Sequence, residues 1–201
     1  MKRLLPAAVK AITASAFGIF VYRAAMAYLH HRSLNVLLLT IAESVSVLLI
    51  LIARPPEDVN ISFKTCLLTA CGTYYFLAVN LGAGVQLVPP WLSEGFQVAG
   101  ICWQLLSKLY LGNRFGLLPA NRGIVDRGPY RIVRHPIYLG YLVNHIGFLL
   151  SAFSLPNLAI YCLLYLFQTG RLLEEEKLLS KDKLYREYCA AVRAHLIPGV
   201  F

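Results

Sequence analysis

The chain has 201 residues, of which 58% are hydrophobic and 14% charged, with mean hydropathy +0.60 and a formal net charge of +9. A soluble domain carries about a quarter charged residues, and a chain of this length, one domain or at most two, has too little interior to hide so much apolar surface. Its Lys and Arg lie in blocks beside hydrophobic runs, which argues for basic membrane-proximal loops and against a nucleic-acid partner.

Taken in chain order, the runs predict an all-α, polytopic transmembrane helical bundle. "MKRLLPAAVK" opens with a basic start like a signal peptide, but Arg23 interrupts the run from Ala11 to Leu29, which reads as an uncleaved first helix. Leu34 to Ala53 follows, broken only by Glu43, and then Thr65 to Val85 with no charge at all. Gly95 to Leu111 carries Lys108, and Pro136 to Phe153 is the fifth run. The sixth, Leu155 to Gly170, has 16 residues. At 1.5 Å per residue that is roughly 24 Å against a hydrocarbon core of ~30 Å, so Arg171 would have to snorkel. Ser154 and Pro156 between the last two runs predict a tight helical hairpin.

With the N-terminus in the cytoplasm, Lys2, Arg3, Lys10, Arg54, Lys64, the block from Lys108 to Arg134 and the tail from Arg171 all lie inside, and only Arg32 lies outside. The expectation is therefore about six spans, with five as the alternative, and both termini cytoplasmic. Arg23 and Glu43 come out at similar depth and are expected to pair. After Arg171 an amphipathic cytoplasmic helix is expected, with Leu178, Leu179, Tyr185, Tyr188, Val192 and Leu196 as its apolar stripe. Cys66, Cys71, Cys102, Cys162 and Cys189 form no CxxC pair and read as small buried hydrophobes; no metal site is expected.

Two polar segments border the hairpin: "RGPYRIVRHPIYLG", from Arg127, and "RLLEEEKLLSK", from Arg171. The hairpin brings both to one face, gathering Tyr130, Arg131, Arg134, His135, Arg171, Glu174 and Glu175. Taken singly each feature is ordinary: a basic loop is a topology signal, a His beside Pro a cap, an acidic run a solvated helix face. Their convergence beside apolar segments is less ordinary.

"RHPIYLG", an apolar hairpin and then "EE" resemble the signature of isoprenylcysteine carboxyl methyltransferases and phospholipid methyltransferases. The resemblance covers about Leu111 to Phe201, including "YREY" and "IPGVF", and is weak or absent before that. It implies S-adenosylmethionine bound at the cytoplasmic face by the C-terminal half, residues 111–201, with residues 1–110 as the acceptor side. Carried over by motif, the cofactor contacts are Gly123, Ile124, Val125, Tyr130, His135, Pro136, Ile137, Tyr138 and Glu175. Arg171 takes the catalytic place facing an acceptor carboxylate. Where the family often has a polar residue such as His before "GIV", this chain has Arg122.

The residue types suit that chemistry. A carboxylate such as Glu175 suits a cationic or N–H group, Arg and His suit a carboxylate, and tyrosine faces suit adenine or a sulfonium. Methyl transfer to an ionised carboxylate needs position and desolvation more than a strong base. The implied partner is a lipidic or prenylated acceptor arriving through the bilayer. Two other readings remain: an NADPH-dependent sterol-reductase-like oxidoreductase, whose usual R-H-x-N-Y-x-G-D pattern differs at Pro136, Ile137 and Tyr141, and a non-enzymatic membrane bundle.

Overall fold

A computed structural model describes residues 4–31, 34–75, 78–80 and 84–200. The elements are helices α1 (Leu4–His31), α2 (Leu34–Ile52), α3 (Phe63–Tyr74), α4 (Pro90–Leu111), α5 (Pro136–Ser151), α6 (Leu155–Leu179) and α7 (Lys183–Ala191), with short strands β1 (Asp58–Val59) and β2 (Ala120–Asn121). Their ends follow from local chemistry. Ser62, Ser154 and Asp182 cap α3, α6 and α7 by accepting the backbone N–H of Thr65, Asn157 and Leu184. Pro90, Pro136 and Pro156 occupy first-turn positions, where a missing N–H costs nothing.

The packed centre is the α4–α5 pair. Gly100, Gly140 and Gly147 let the two backbones approach closely: a Cβ on Gly140 would meet the backbone N of Gln104 at 2.7 Å. α1 lies along α2, α2 along α4, and α3 along α6. Leu49, Ile50 and Phe115 form a core cluster backed by Phe17, Leu111, Leu117 and Ile137. β1 and β2 pair antiparallel, Asp58 opposite Asn121 and Val59 opposite Ala120, tying the α2–α3 link to the loop after α4.

Among the described residues no helix is long and apolar enough to cross a membrane. This overturns the expected polytopic transmembrane bundle, at six spans or at five, and with it the inside–outside assignment built on those spans. The apolar runs and the helices do not coincide. Within the run from Thr65 to Val85, α3 ends at Tyr74, and Val85 exchanges backbone hydrogen bonds with Phe153 at 2.8 and 2.9 Å. α5 has only 16 residues. α6 does not stop at Gly170 but continues through Arg171, three glutamates and Lys177, so its second half is charged. Lys2, Arg3 and Arg32 lie outside the described residues.

Three further expectations are corrected. Glu43 pairs with Lys108, at 3.1 Å, and not with Arg23, which points outward from α1. The single amphipathic helix expected after Arg171 is two elements, the end of α6 and then α7, and α7 buries Tyr185 and Tyr188 against Val192. All five cysteines are free, but Cys66, Cys102 and Cys162 are exposed because they sit on outward helix faces.

Candidate functional site

The loop from Gly112 to His135 folds over the ends of α4, α5 and α6. Gly123 (φ 92°) and Gly128 (φ 60°) adopt the left-handed backbone that glycine tolerates, and they set its two turns. The Asn121 side chain holds the first turn by accepting the Gly123 N–H at 2.9 Å, while its amide donates to Asp182, the cap of α7, at 3.0 Å. In the second turn, Gly128–Arg131, Tyr130 is buried and its carbonyl accepts the Tyr188 hydroxyl at 2.6 Å. The backbone N–H groups of Arg134 and His135 then donate to Ala194 and His195, both at 2.9 Å, which stitches the C-terminal segment beneath the start of α5.

These segments enclose a cavity of about 130 Å³. Gly123, Ile124, Val125, Tyr130, His135, Pro136, Ile137, Tyr138, Arg171 and Glu175, the residues singled out in the sequence, all line it. Arg114, Arg122, Arg134 and Tyr185 line it as well. Arg131, which the sequence also gathered at this face, is exposed and stands outside the lining.

The three consecutive glutamates of α6 have three different surroundings, because successive helical residues turn by about 100°. Glu174 faces α3 and accepts hydrogen bonds from Lys64 at 2.7 Å and Asn60 at 3.3 Å. Glu176 accepts from Arg134 and Tyr185 and lies against His135 Nε2, each at 2.7 Å. Burial would raise the Glu176 carboxyl, but His135, Tyr185 and Arg134 outweigh it and hold the group below the ordinary carboxylate range. Glu175, between them, makes no hydrogen bond or ion pair among the described residues and lines the cavity.

Arg171 is 7% exposed, and none of the ion pairs among the described residues involves it. Its Nε has no hydrogen-bond partner, and its guanidinium lies 5.6 Å from the centre of the Tyr138 ring. A buried cation without a carboxylate is costly, so it marks a place where an anion would be strongly held. Burial raises the hydroxyls of Tyr130 and Tyr138 above their ordinary value, so both stay protonated and can donate.

Arg171, Tyr141 and Leu117 also line a second cavity of about 100 Å³, reached between α1, α2, α3 and the α4–α6 core. The two cavities thus share a wall.

Residues 92–187 match the phospholipid methyltransferase family. The matched stretch runs from α4 into α7 and contains both motifs and all ten residues singled out above, so the resemblance drawn from "RHPIYLG" and "EE" stands. The match points to a methyltransferase acting on a lipid, from a family associated with membranes. No curated protein matches the chain.

Sequence reasoning missed Glu176 and Arg114; it gathered Arg134 at this face without giving it a role, and placed Tyr185 only in the apolar stripe of the last helix. Helix phase distinguishes Glu176 from its neighbours, but Arg134 and His135 reach it from 42 and 41 residues away in the chain, and nothing local announces them. Lys108 was seen as a charge in an apolar run, and the only local signal was that such a charge needs a partner.

Proposed function

We propose that the protein transfers a methyl group from S-adenosylmethionine to a lipidic acceptor, at a carboxylate such as that of an isoprenylcysteine. The observation that carries this reading is Arg171, a buried cation with no carboxylate partner, in the wall between the two cavities. Residues 111–201 would form the cofactor half and residues 1–110 most of the acceptor side.

The residues fit the cofactor's chemistry. Glu175 is an unpaired carboxylate suited to a methionyl ammonium or a ribose hydroxyl. Arg114, whose buried Nε lacks a partner, and Arg122 suit the methionyl carboxylate. At Gly123 a Cβ would meet Arg114 Nε at 3.1 Å, so glycine keeps that edge open. Tyr130 and Tyr138 offer aromatic faces, and Ile124, Val125, Pro136 and Ile137 an apolar bed. His135 acts through the wall it forms with Glu176. When bound, S-adenosylmethionine supplies a methyl on a sulfonium, and the electron pair of the broken S–CH₃ bond stays on sulfur as the O–CH₃ bond forms. Arg171 orients the acceptor carboxylate, and the apolar wall excludes water from it.

The test is transfer of labelled methyl to a lipidic carboxylic acid by wild type and Arg171→Ala. Loss of a charge-assisted contact of about 1.5–3 kcal/mol should lower kcat/KM ten- to a hundredfold, with cofactor affinity near normal. Equal transfer by both proteins would reject the role of Arg171.

A further inference from the structure

The second cavity, though most of its wall is apolar, holds buried polar groups that a pocket for a hydrocarbon tail would not need. Gln104 from α4 and Gln168 from α6 line it and are 1% and 5% exposed, and the Oε1 of each has no hydrogen-bond partner. The Thr73 hydroxyl, also in the lining, is likewise buried without a partner. Glu43 contributes to the wall, but Lys108 neutralises it. Buried carboxamides are nearly always satisfied, so two unsatisfied ones around one cavity beside an unpaired arginine describe a site built for a polar ligand.

We propose that this cavity binds the polar end of the methyl acceptor, and that Gln104 and Gln168 select an acceptor with an amide beside its reacting carboxylate. The proposal rests on the methyltransferase reading above and names its substrate class. An acid held by Arg171 at the shared wall places the neighbouring group of the acceptor among the two glutamines. A carboxamide both donates and accepts, and a secondary amide offers it one N–H and one C=O in return. An ester or methylene at that place supplies no N–H and leaves a glutamine oxygen unpaired. Phe17 and Leu39 form the apolar side of the same cavity, along which the tail departs.

Two lipidic acids that differ only in an amide or an ester beside the carboxylate provide the test. Wild type should methylate the amide with kcat/KM about tenfold or more above the ester, the loss expected for an unmade buried hydrogen bond. Gln104→Met and Gln168→Met should each remove most of that preference, while calorimetric affinity for S-adenosylmethionine stays at the wild-type value. Equal turnover of the two acids by wild type overturns the proposal even if neither variant folds. Variants that lose both substrates equally also overturn it, since the glutamines would then serve structure alone. If wild type binds S-adenosylmethionine yet methylates neither acid, the carboxylate reading falls with it. If it does not bind S-adenosylmethionine, the cofactor reading has failed first.

Discussion

Lys108→Met should be among the most damaging single changes in the protein. The Lys108 side chain is fully buried and that of Glu43 is 8% exposed, with 3.1 Å between Nζ and Oε1. At that distance an effective dielectric of about 20 gives an attraction of about 5 kcal/mol, most of it offset by the desolvation of both charges. Removing the ammonium while keeping the volume leaves the Glu43 carboxylate buried and alone, which should cost about 3–5 kcal/mol. Glu43→Leu should cost a similar amount by stranding the ammonium. The double variant Lys108→Met/Glu43→Leu should recover nearly all of it. Urea unfolding of the four proteins yields the coupling energy directly, and about 3 kcal/mol or more is expected. Arg23→Ala, on an exposed face, should stay within roughly 0.5 kcal/mol. Additive losses in the cycle, or a Lys108→Met cost below about 1 kcal/mol, would refute the buried pair.

Glu176 sets a pH dependence. Its folded carboxyl lies below the ordinary value of 4.5, so the unfolded chain binds the proton first, and the stabilisation is present above that value and lost as pH falls through the folded one. Thermal melts should therefore weaken below about pH 5, and Glu176→Gln should be less stable at neutral pH and flatter across that acid range; an unchanged acid slope in the variant would count against the Arg134–His135–Tyr185 network. Gly140→Ala should force α4 and α5 apart, since its Cβ would meet the Gln104 backbone at 2.7 Å. The overpacking should cost about 1–3 kcal/mol, read as a fall of roughly 2–4 °C in Tm per kcal/mol. Tyr188→Phe removes the hydroxyl that holds the Tyr130 carbonyl at 2.6 Å and should cost about 1 kcal/mol, with weaker cofactor binding because the second turn loosens.

Much of the site was legible because its determinants are local. Prolines at helix starts, Ser154 before Pro156 and the glycines of the loop mark the boundaries that bring "RHPIYLG" and the glutamate run together, and the ten residues that the family resemblance implied line one cavity. The separate fates of Glu174, Glu175 and Glu176 follow from helix phase, but which one is free depends on Lys64, Asn60, Arg134 and Tyr185, which only the fold supplies. The transmembrane reading failed for a related reason. Hydropathy windows cannot see that Val85 leaves helical geometry to bridge Phe153, or that α6 carries its helix past Gly170 into charged residues. Arg23 and Glu43 matched in depth, but the neighbour that reaches Glu43 comes from α4.

The proposed S-adenosylmethionine site is the cavity lined by Glu175. Titration calorimetry of the purified protein with S-adenosylmethionine and with NADPH tests it, with Glu175→Gln and Glu174→Gln alongside. One site for S-adenosylmethionine and none for NADPH is the expected result. Glu175→Gln should weaken that binding about ten- to a hundredfold, as for loss of a charged hydrogen-bond partner of about 1.5–3 kcal/mol, and Glu174→Gln should do much less. Binding of NADPH in place of S-adenosylmethionine, or wild-type affinity in Glu175→Gln, would contradict it.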